Sequence, residues 1–417
     1  MKRLLFFVVV MILQAPLFAA HVLIPMDDAQ RNHLKAYGIA YHVLTYDREV
    51  SWLLNYRGGS FMFEHHPDLE QECQVRGVSF EVIADIQAQA ILQEISDTEV
   101  NMEEVRLHKL PRVAVYTPPN SLPWDDAVTL ALNYAEIPYD EVYDQEVLSG
   151  LLPMYDWLHL HHEDFTGQFG KFWAAYRNAP WYQEDVRLAN QTARKLGYAK
   201  VADLKLDVAR RIREFVAGGG YMFAMCSAPE SIDIALAAEH VDIVHQVFDN
   251  DPIDADAQSM LDFSNNFAFH NFVINPDPTI YEKSDIDVVK TGRDERSDFF
   301  TLFEFSAKWD PVPTMLTQNH ATVLKGFMGQ TTAFRLQVVK PTVTILAENR
   351  SKNEARYVHG AFGNGTFTFL GGHDPEDYRH FVGDAPTDLN LFPNSPGYRL
   401  ILNNVLFPAA RKQKQKT

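Results

Sequence analysis

The sequence predicts an α/β protein: a mostly parallel sheet covered on both faces, preceded by a smaller α/β module. Two observations lead there. Short β-branched and aromatic runs, such as Arg112-Val113-Ala114-Val115-Tyr116 and Tyr221 to Met225, alternate with longer stretches of helical apolar spacing. That alternation starts twice, near His21 and again near Arg112, and 417 residues are enough for both cores.

In the first module, residues 21–110, His21 to Met26 reads as a buried strand. Asp27-Asp28 is expected to cap a helix from Ala29 to Leu44. Val50 to Tyr56 reads as a strand and Arg57-Gly58-Gly59-Ser60 as a turn. Val78 to Ile83 and a helix from Ala84 to Ile95 complete a βαβ-like unit, with Ser96 to Lys109 as connection. The second module, 111–410, opens on the strand ending at Tyr116, and Trp124-Asp125-Asp126 starts a helix through Tyr134. Strands near Glu141 to Val147 and Tyr155 to His162 follow, then a helix from Leu204 to Ala217. Tyr221 to Met225 is the next strand and Ser231 to Ala238 the next helix. Thr342 to Ala347, a hairpin from Arg356 to Leu370 turning at Gly363-Asn364-Gly365, and a helix from Tyr398 to Phe407 close the domain. Asp164 to Gln191 reads as an aromatic loop. Residues 249–334 read as an insertion of the kind that walls a pocket.

Lys2-Arg3, an apolar run from Leu4 to Leu13 and the small pair Ala19-Ala20 outline a secretory signal peptide over residues 1–20. The run is too short to span a bilayer, and export to a periplasmic or extracellular location is expected. Net charge is −18, and −20 without Lys2 and Arg3, which argues against nucleic acid and anionic membrane surfaces as partners. The basic residues of 411–417 read as a solvated tail. Only Cys73 and Cys226 are present, so no disulfide framework is expected. No Walker-type loop occurs, and no cofactor is expected.

Cys226 follows the strand Tyr221 to Met225 and precedes a helix. A thiol at such a junction is presented at the carboxyl end of a sheet beside helix-start amides. His373 follows Gly371-Gly372 at the end of another strand, where ligands of parallel sheets bind. An imidazole within reach supplies the base a thiol nucleophile needs. For the orienting carboxylate, Glu376 is the residue put forward, although Glu230 and Glu163 stay open; Asp374-Pro375 resembles a helix start. His162, Glu163, Ser227 and Gly372 are expected to touch substrate, a small molecule or a glycan or peptide. Two-residue periodicity puts His159, His161 and Glu163 on one strand face, a donor set that suits zinc or iron as the alternative to a cofactor-free site.

Gly220-Tyr221-Met222-Phe223-Ala224-Met225-Cys226-Ser227-Ala228 resembles the strand–Cys–helix elbow of the class I glutamine amidotransferase-like superfamily. Gly372-His373-Asp374-Pro375-Glu376 resembles its His-Pro-Glu segment, with two residues between His and Glu instead of one. The ThuA-like branch, associated with sugar metabolism, fits Gly363-Asn364-Gly365 leading into Leu370-Gly371-Gly372-His373 better still. The whole chain is also similar to secreted bacterial proteins labelled asparagine synthetase B, a label that requires an N-terminal catalytic cysteine and an ATP-using domain; the sequence shows neither motif. The resemblance implies a flavodoxin-like parallel sheet and hydrolysis of an amide or related acyl bond by Cys226 and His373. The ThuA-like branch implies instead a sugar or glycan derivative handled by His373, His162 and Glu163. A non-catalytic carbohydrate- or peptide-binding protein, with the aromatic residues of 165–182 and the insertion 249–334 as clasp, is the remaining expectation.

Overall fold

Strands β1 (Ala20–Ile24), β2 (Val50–Leu54), β3 (Ser60–Glu64), β4 (Glu81–Ala84) and β5 (Glu103–Leu107) form one sheet in the order β4-β1-β3-β2-β5. The structure is a computed structural model that describes residues 20–288 and 290–411. All of the expected signal peptide 1–20 except Ala20, which opens β1, and all of the expected tail 411–417 except Arg411, which pairs with Glu49, lie outside the described residues. Every pairing in this first sheet is antiparallel, so the module is not the βαβ unit expected. The reason is local. Only Asn55 to Gly59 separates β2 from β3, and a parallel crossover needs a dozen residues or more. The chain reverses there through left-handed backbone at Asn55 (φ 61°) and Arg57 (φ 44°). The stretch 96–109, expected as a connection, contains β5, whose Val105 and Leu107 face inward between charged residues. The first helix begins late, at His33–Leu44, because Asn32 caps it by accepting from Lys35 N (2.9 Å). Asp27 instead pairs with Arg57 at 2.8 Å.

The second sheet contains β6 (Val113–Tyr116), β7 (Asp140–Val142), β8 (Trp157–Leu160), β9 (Tyr221–Met225), β10 (Phe299–Leu302), β11 (Val323–Lys325), β12 (Phe334–Arg335), β13 (Thr344–Asn349), β14 (Glu354–Phe362) and β15 (Gly365–Leu370). Its order is β11-β10-β13-β14-β15-β9-β8-β6-β7, with β12 on β14. The half from β7 to β15 is parallel and the half from β15 to β11 antiparallel. β15 is the seam, because the hairpin at Gly363-Asn364 returns it antiparallel to β14 while its other edge runs parallel to β9. The insertion 249–334 therefore adds strands to the sheet as well as wall to a pocket. Within the stretch expected as an aromatic loop, Pro180–Lys195 is helical, with proline in its first turn.

Both faces of this sheet are covered. Val208, Ile212 and Ile232 of the helices Val201–Gly218 and Ala228–Ala237 pack on Ala114, Leu158 and Met222. On the other face one continuous core joins Val22 and Trp52 of the first sheet to Val115 and Phe223 of the second, through the helices His33–Leu44, Ala127–Ala135 and Pro396–Leu406. Arg399, fully buried on the last of these, donates to Met26 O (3.0 Å), to Gly58 O and to Tyr37 Oη (3.0 Å). Among the described residues no helix is long and apolar enough to cross a membrane.

A second buried arginine fixes the insertion. Arg356 on β14 donates to Phe327 O and Thr332 O (both 3.1 Å), to Asp298 (2.8 and 2.9 Å) and to Glu354 (3.0 Å). Arg293 closes the network on Asp298 and Glu354. Replacing Arg356 with Met leaves two buried carbonyls without their donor and takes one cation from the Asp298–Glu354 pair, which keeps Arg293, and the expected loss is about 3–5 kcal/mol. Denaturant unfolding measures it; a loss below about 1 kcal/mol would mean that the network does not hold this wall.

Candidate functional site

The site is assembled where four parallel strands end. β6 stops at Tyr116, β8 at Leu160, β9 at Met225 and β15 at Leu370, and the registers align these ends. The loops beyond them carry Asp125 and Asp126, His161 and His162, Cys226, and His373. Side chains remote along the chain thus meet at one sheet edge, the usual place for ligands in such sheets.

Cys226 takes the left-handed conformation, φ 54°, between β9 and the helix Ala228–Ala237. A β-carbon in that region is strained, and the surroundings hold it: Cys226 N–H donates to Gly372 O at 3.1 Å and Ala228 N–H to His161 O at 3.1 Å. The sharp turn aims Sγ into a cavity of about 280 Å³, which His373 also lines. The two residues expected to meet do so. Burial acts to lower the His373 pKa, but hydrogen bonds and charge contacts with Asp125 and Cys226 outweigh it and raise it to about 10. The ring therefore carries its proton through the neutral range. From the insertion, Gln330 N–H points at Sγ from 3.4 Å.

The carboxylate on His373 is Asp125, whose Oδ1 lies 3.5 Å from Nε2, not Glu376. The Glu376 carboxyl is bonded to Ser395 instead, and Asp374 accepts from Tyr398 Oη (2.8 Å) and Glu376 N (2.8 Å) in a turn, with no helix starting there. Asp125 was legible only as part of a helix start. Yet Asp126 alone caps the helix Ala127–Ala135, accepting from Val128 N (2.7 Å) and Thr129 N (3.0 Å), so its neighbour had no structural task. His380 also went unnoticed; it reaches Asp125 Oδ1 at 3.1 Å and stacks on His373 with centroids 4.3 Å apart.

The histidine segment departs from the expected alternation because β8 ends at Leu160. His161 and His162 stack on each other, centroids 3.9 Å apart, and both rings lie within 5 Å of His373. His159 stays in the sheet core, flanked by Trp157 and Phe223, with Nε2 3.1 Å from Asp126. Glu163 accepts from His161 N at 3.1 Å and lines a neighbouring cavity with Tyr143 and Lys205. Burial, reinforced by Asp126, pushes its pKa up to about 8. His159, His161 and Glu163 therefore do not converge as a donor set. Burial takes the His161 pKa down to about 4 and holds His162 well below the usual imidazole range. Burial works to raise the Asp126 carboxyl, but the His159 and His161 rings hold it well below the ordinary range.

Of the expected substrate contacts, His162 lines the Cys226 cavity, whereas Ser227 and Gly372 are buried beneath it. Trp124, Phe172, Tyr281 and Phe381 form its aromatic walls, and Lys290 and the exposed Arg379 its cationic side.

No protein-family model and no curated protein matches the chain. Two solved structures described as cytoplasmic proteins of Salmonella typhimurium align at 12% and 11% identity. The alignments cover 73% and 72% of this chain and 100% and 99% of theirs, with TM-scores of 0.35 and 0.36. A β-galactosidase from Bacillus circulans sp. alkalophilus aligns at 14% identity over 75% of this chain and 33% of its own, with a TM-score of 0.26. Likenesses this slight assign neither family nor activity.

Gly372 is the hinge between the thiol and the imidazole. Its φ is +102°, and a Cβ there would lie 2.3 Å from Phe327 Cδ2. Gly372→Ala is expected to cost about 1–3 kcal/mol and to slow alkylation of Cys226, as its carbonyl shifts away from Cys226 N–H. Thiol alkylation rates at neutral pH check this; unchanged stability and rate would show that the loop has room to relax.

Proposed function

We propose that the chain is a cysteine-dependent hydrolase of an amide or related acyl bond, of the glutamine amidotransferase-like type and exported from the cell. The observation that carries this is the strained Cys226 elbow, with its sulfur beside His373 and Asp125 behind that ring. In the parallel half of the second sheet, strands follow the spatial order second, first, third, fourth, fifth, the order of flavodoxin-like folds, which supports the same type.

In this mechanism the Cys226 sulfur attacks the carbonyl carbon, and the carbonyl electron pair moves onto oxygen. With the amides of Cys226 and Ala228 committed elsewhere, Gln330 N–H, 3.4 Å from the sulfur, is the donor at hand for that oxyanion. His373 gives its proton to the leaving amine as the C–N bond breaks. It then takes a proton from water, whose oxygen adds to the thioester carbon; the C–S bond breaks, and the acid and the thiolate are released. Asp125 holds the ring in register throughout. Arg379 on the rim suits a substrate carrying a carboxylate or another anionic group.

The aromatic walls favour one other function, ThuA-like handling of a sugar derivative stacked on Trp124 or Tyr281. Its expected Glu163 faces the neighbouring cavity, so His373 and His162 alone would have to serve it.

Cys226→Ala is expected to abolish amide turnover while the melting temperature stays within a few degrees. Asp125→Asn should lower kcat by about 10²–10⁴-fold. Both are read by release of amine and acid from a panel of amides and acyl esters. Retained turnover in the Cys226→Ala protein, or indifference to thiol alkylation, removes this function. Arg379→Gln is expected to raise KM for anionic amides at least about tenfold, a loss of about 1.4 kcal/mol, with kcat nearly unchanged; an unaltered KM refutes the anionic preference.

A further inference from the structure

We propose that Cys226, His161, His162 and His373 together bind a borderline-soft divalent cation of the zinc class, which masks the thiol. This rests on the assignment of Cys226 as nucleophile and adds a second state of the same site. One donor atom from each of the four residues lies within 4.8 Å of all the others. Imidazole nitrogens and a thiolate are the donors zinc prefers, and four of them close a tetrahedral shell.

Hydrolysis as described employs one imidazole. It gives no task to His161 and His162, although both are packed against His373. His161 is 1% exposed, and neither ring nitrogen makes a well-formed hydrogen bond, Nδ1 having only the Asp126 carboxylate nearby. A sealed, unpaired ring nitrogen is costly, and a cation would satisfy it. The outer nitrogens are braced as those of metal-binding histidines usually are. His161 Nδ1 lies 3.0 Å from Asp126 Oδ1, and His162 Nε2 lies 2.6 Å from Asp125 O. His373 Nε2 lies 3.5 Å from Asp125 Oδ1. The other nitrogen of each ring is the proposed donor, and His373 offers its own once its second proton has left. The two aspartates stand behind the donors, where their charge offsets that of the ion.

The closed donor set separates masking from metal catalysis. A hydrolytic zinc keeps a position open for water, and four protein donors leave none. On binding, the thiol proton and the second proton of the His373 ring pass to solvent, sulfur–metal and nitrogen–metal bonds form, and no electrons are transferred. The sulfur lone pair is then engaged, and attack on a carbonyl waits for release of the ion.

Three other clusters among the described residues serve less well. Asp125, His373 and His380 offer only three donors and share His373; in Asp126, His159 and His161 the rings already compensate the carboxylate, and Asp377, His380 and Asp384 sit nearer the surface with Asp384 exposed.

The test uses the full chain, stripped with a chelator and titrated with Zn²⁺ by calorimetry and with Co²⁺ by absorption. The expected result is one ion per chain, a thiolate-to-cobalt charge-transfer band, and loss of Cys226 alkylation in the presence of Zn²⁺. Cys226→Ser should lose the band. Asp126→Asn should weaken zinc about 10–100-fold, and His161→Gln by at least as much, with circular dichroism confirming that each variant is folded. Absence of uptake, or uptake undiminished in both Cys226→Ser and His161→Gln, overturns the proposal. The two assignments fail separately. Zinc uptake with turnover surviving in Cys226→Ala removes the hydrolase and supports the metal site. Turnover that depends on Cys226 without zinc uptake removes the metal site alone.

Discussion

The parallel pairing of β9 with β15 is the constraint on which the site depends. Its register runs from Thr366 opposite Tyr221 to Leu370 opposite Met225, so both strands end side by side. One residue past Met225 comes the thiol, and three past Leu370 comes the imidazole. The glycines between Leu370 and His373 let that loop turn tightly enough for Gly372 O to receive Cys226 N–H. A slip of one residue would send every β15 side chain to the opposite face and carry His373 away from the sulfur. The hairpin with β14 guards against it, because six residue pairs lock β15 on its other edge.

Asp125 and Asp126 divide the electrostatic work between them. Asp126 caps a helix and contacts two core-side rings, while Asp125 serves His373 and His380 and lends its carbonyl to His162. Adjacent carboxylates would ordinarily repel, and here they face opposite groups of imidazoles. Burial makes these contacts strong, since little water screens them. The same burial explains why His161 and His162 resist protonation while His373, beside a carboxylate and the thiol, keeps its proton.

Much of the second sheet was legible because its strands are short apolar runs with clear stops. Tyr221–Met225 matches the sequence expectation residue for residue, and the hairpin turns where Gly363-Asn364-Gly365 predicts. Cys226 and His373 could be singled out because the glycines around them signal strand ends. The first sheet misled, since alternation of strand and helix favours parallel strands, and only the short Asn55–Gly59 link told against a crossover. β5 was masked by its glutamates. Asp125 was hidden for a different reason: 248 positions separate it from His373, and no local pattern records a contact made by topology. Glu376 had sequence proximity in its favour, but the turn at Asp374 sends its carboxyl to Ser395.

Arg399 binds the beginning of the chain to its end. Its guanidinium occupies the carbonyls of Met26 and Gly58, 373 and 341 positions earlier. A polypeptide made from its amino end must therefore wait for nearly all of its length before that socket can be filled. Until then Gly58 O lacks this donor and Met26 O has only the His33 ring, and the surface of the first sheet that later meets the final helix stays bare. Such late closure lengthens the interval in which an emerging chain is held open.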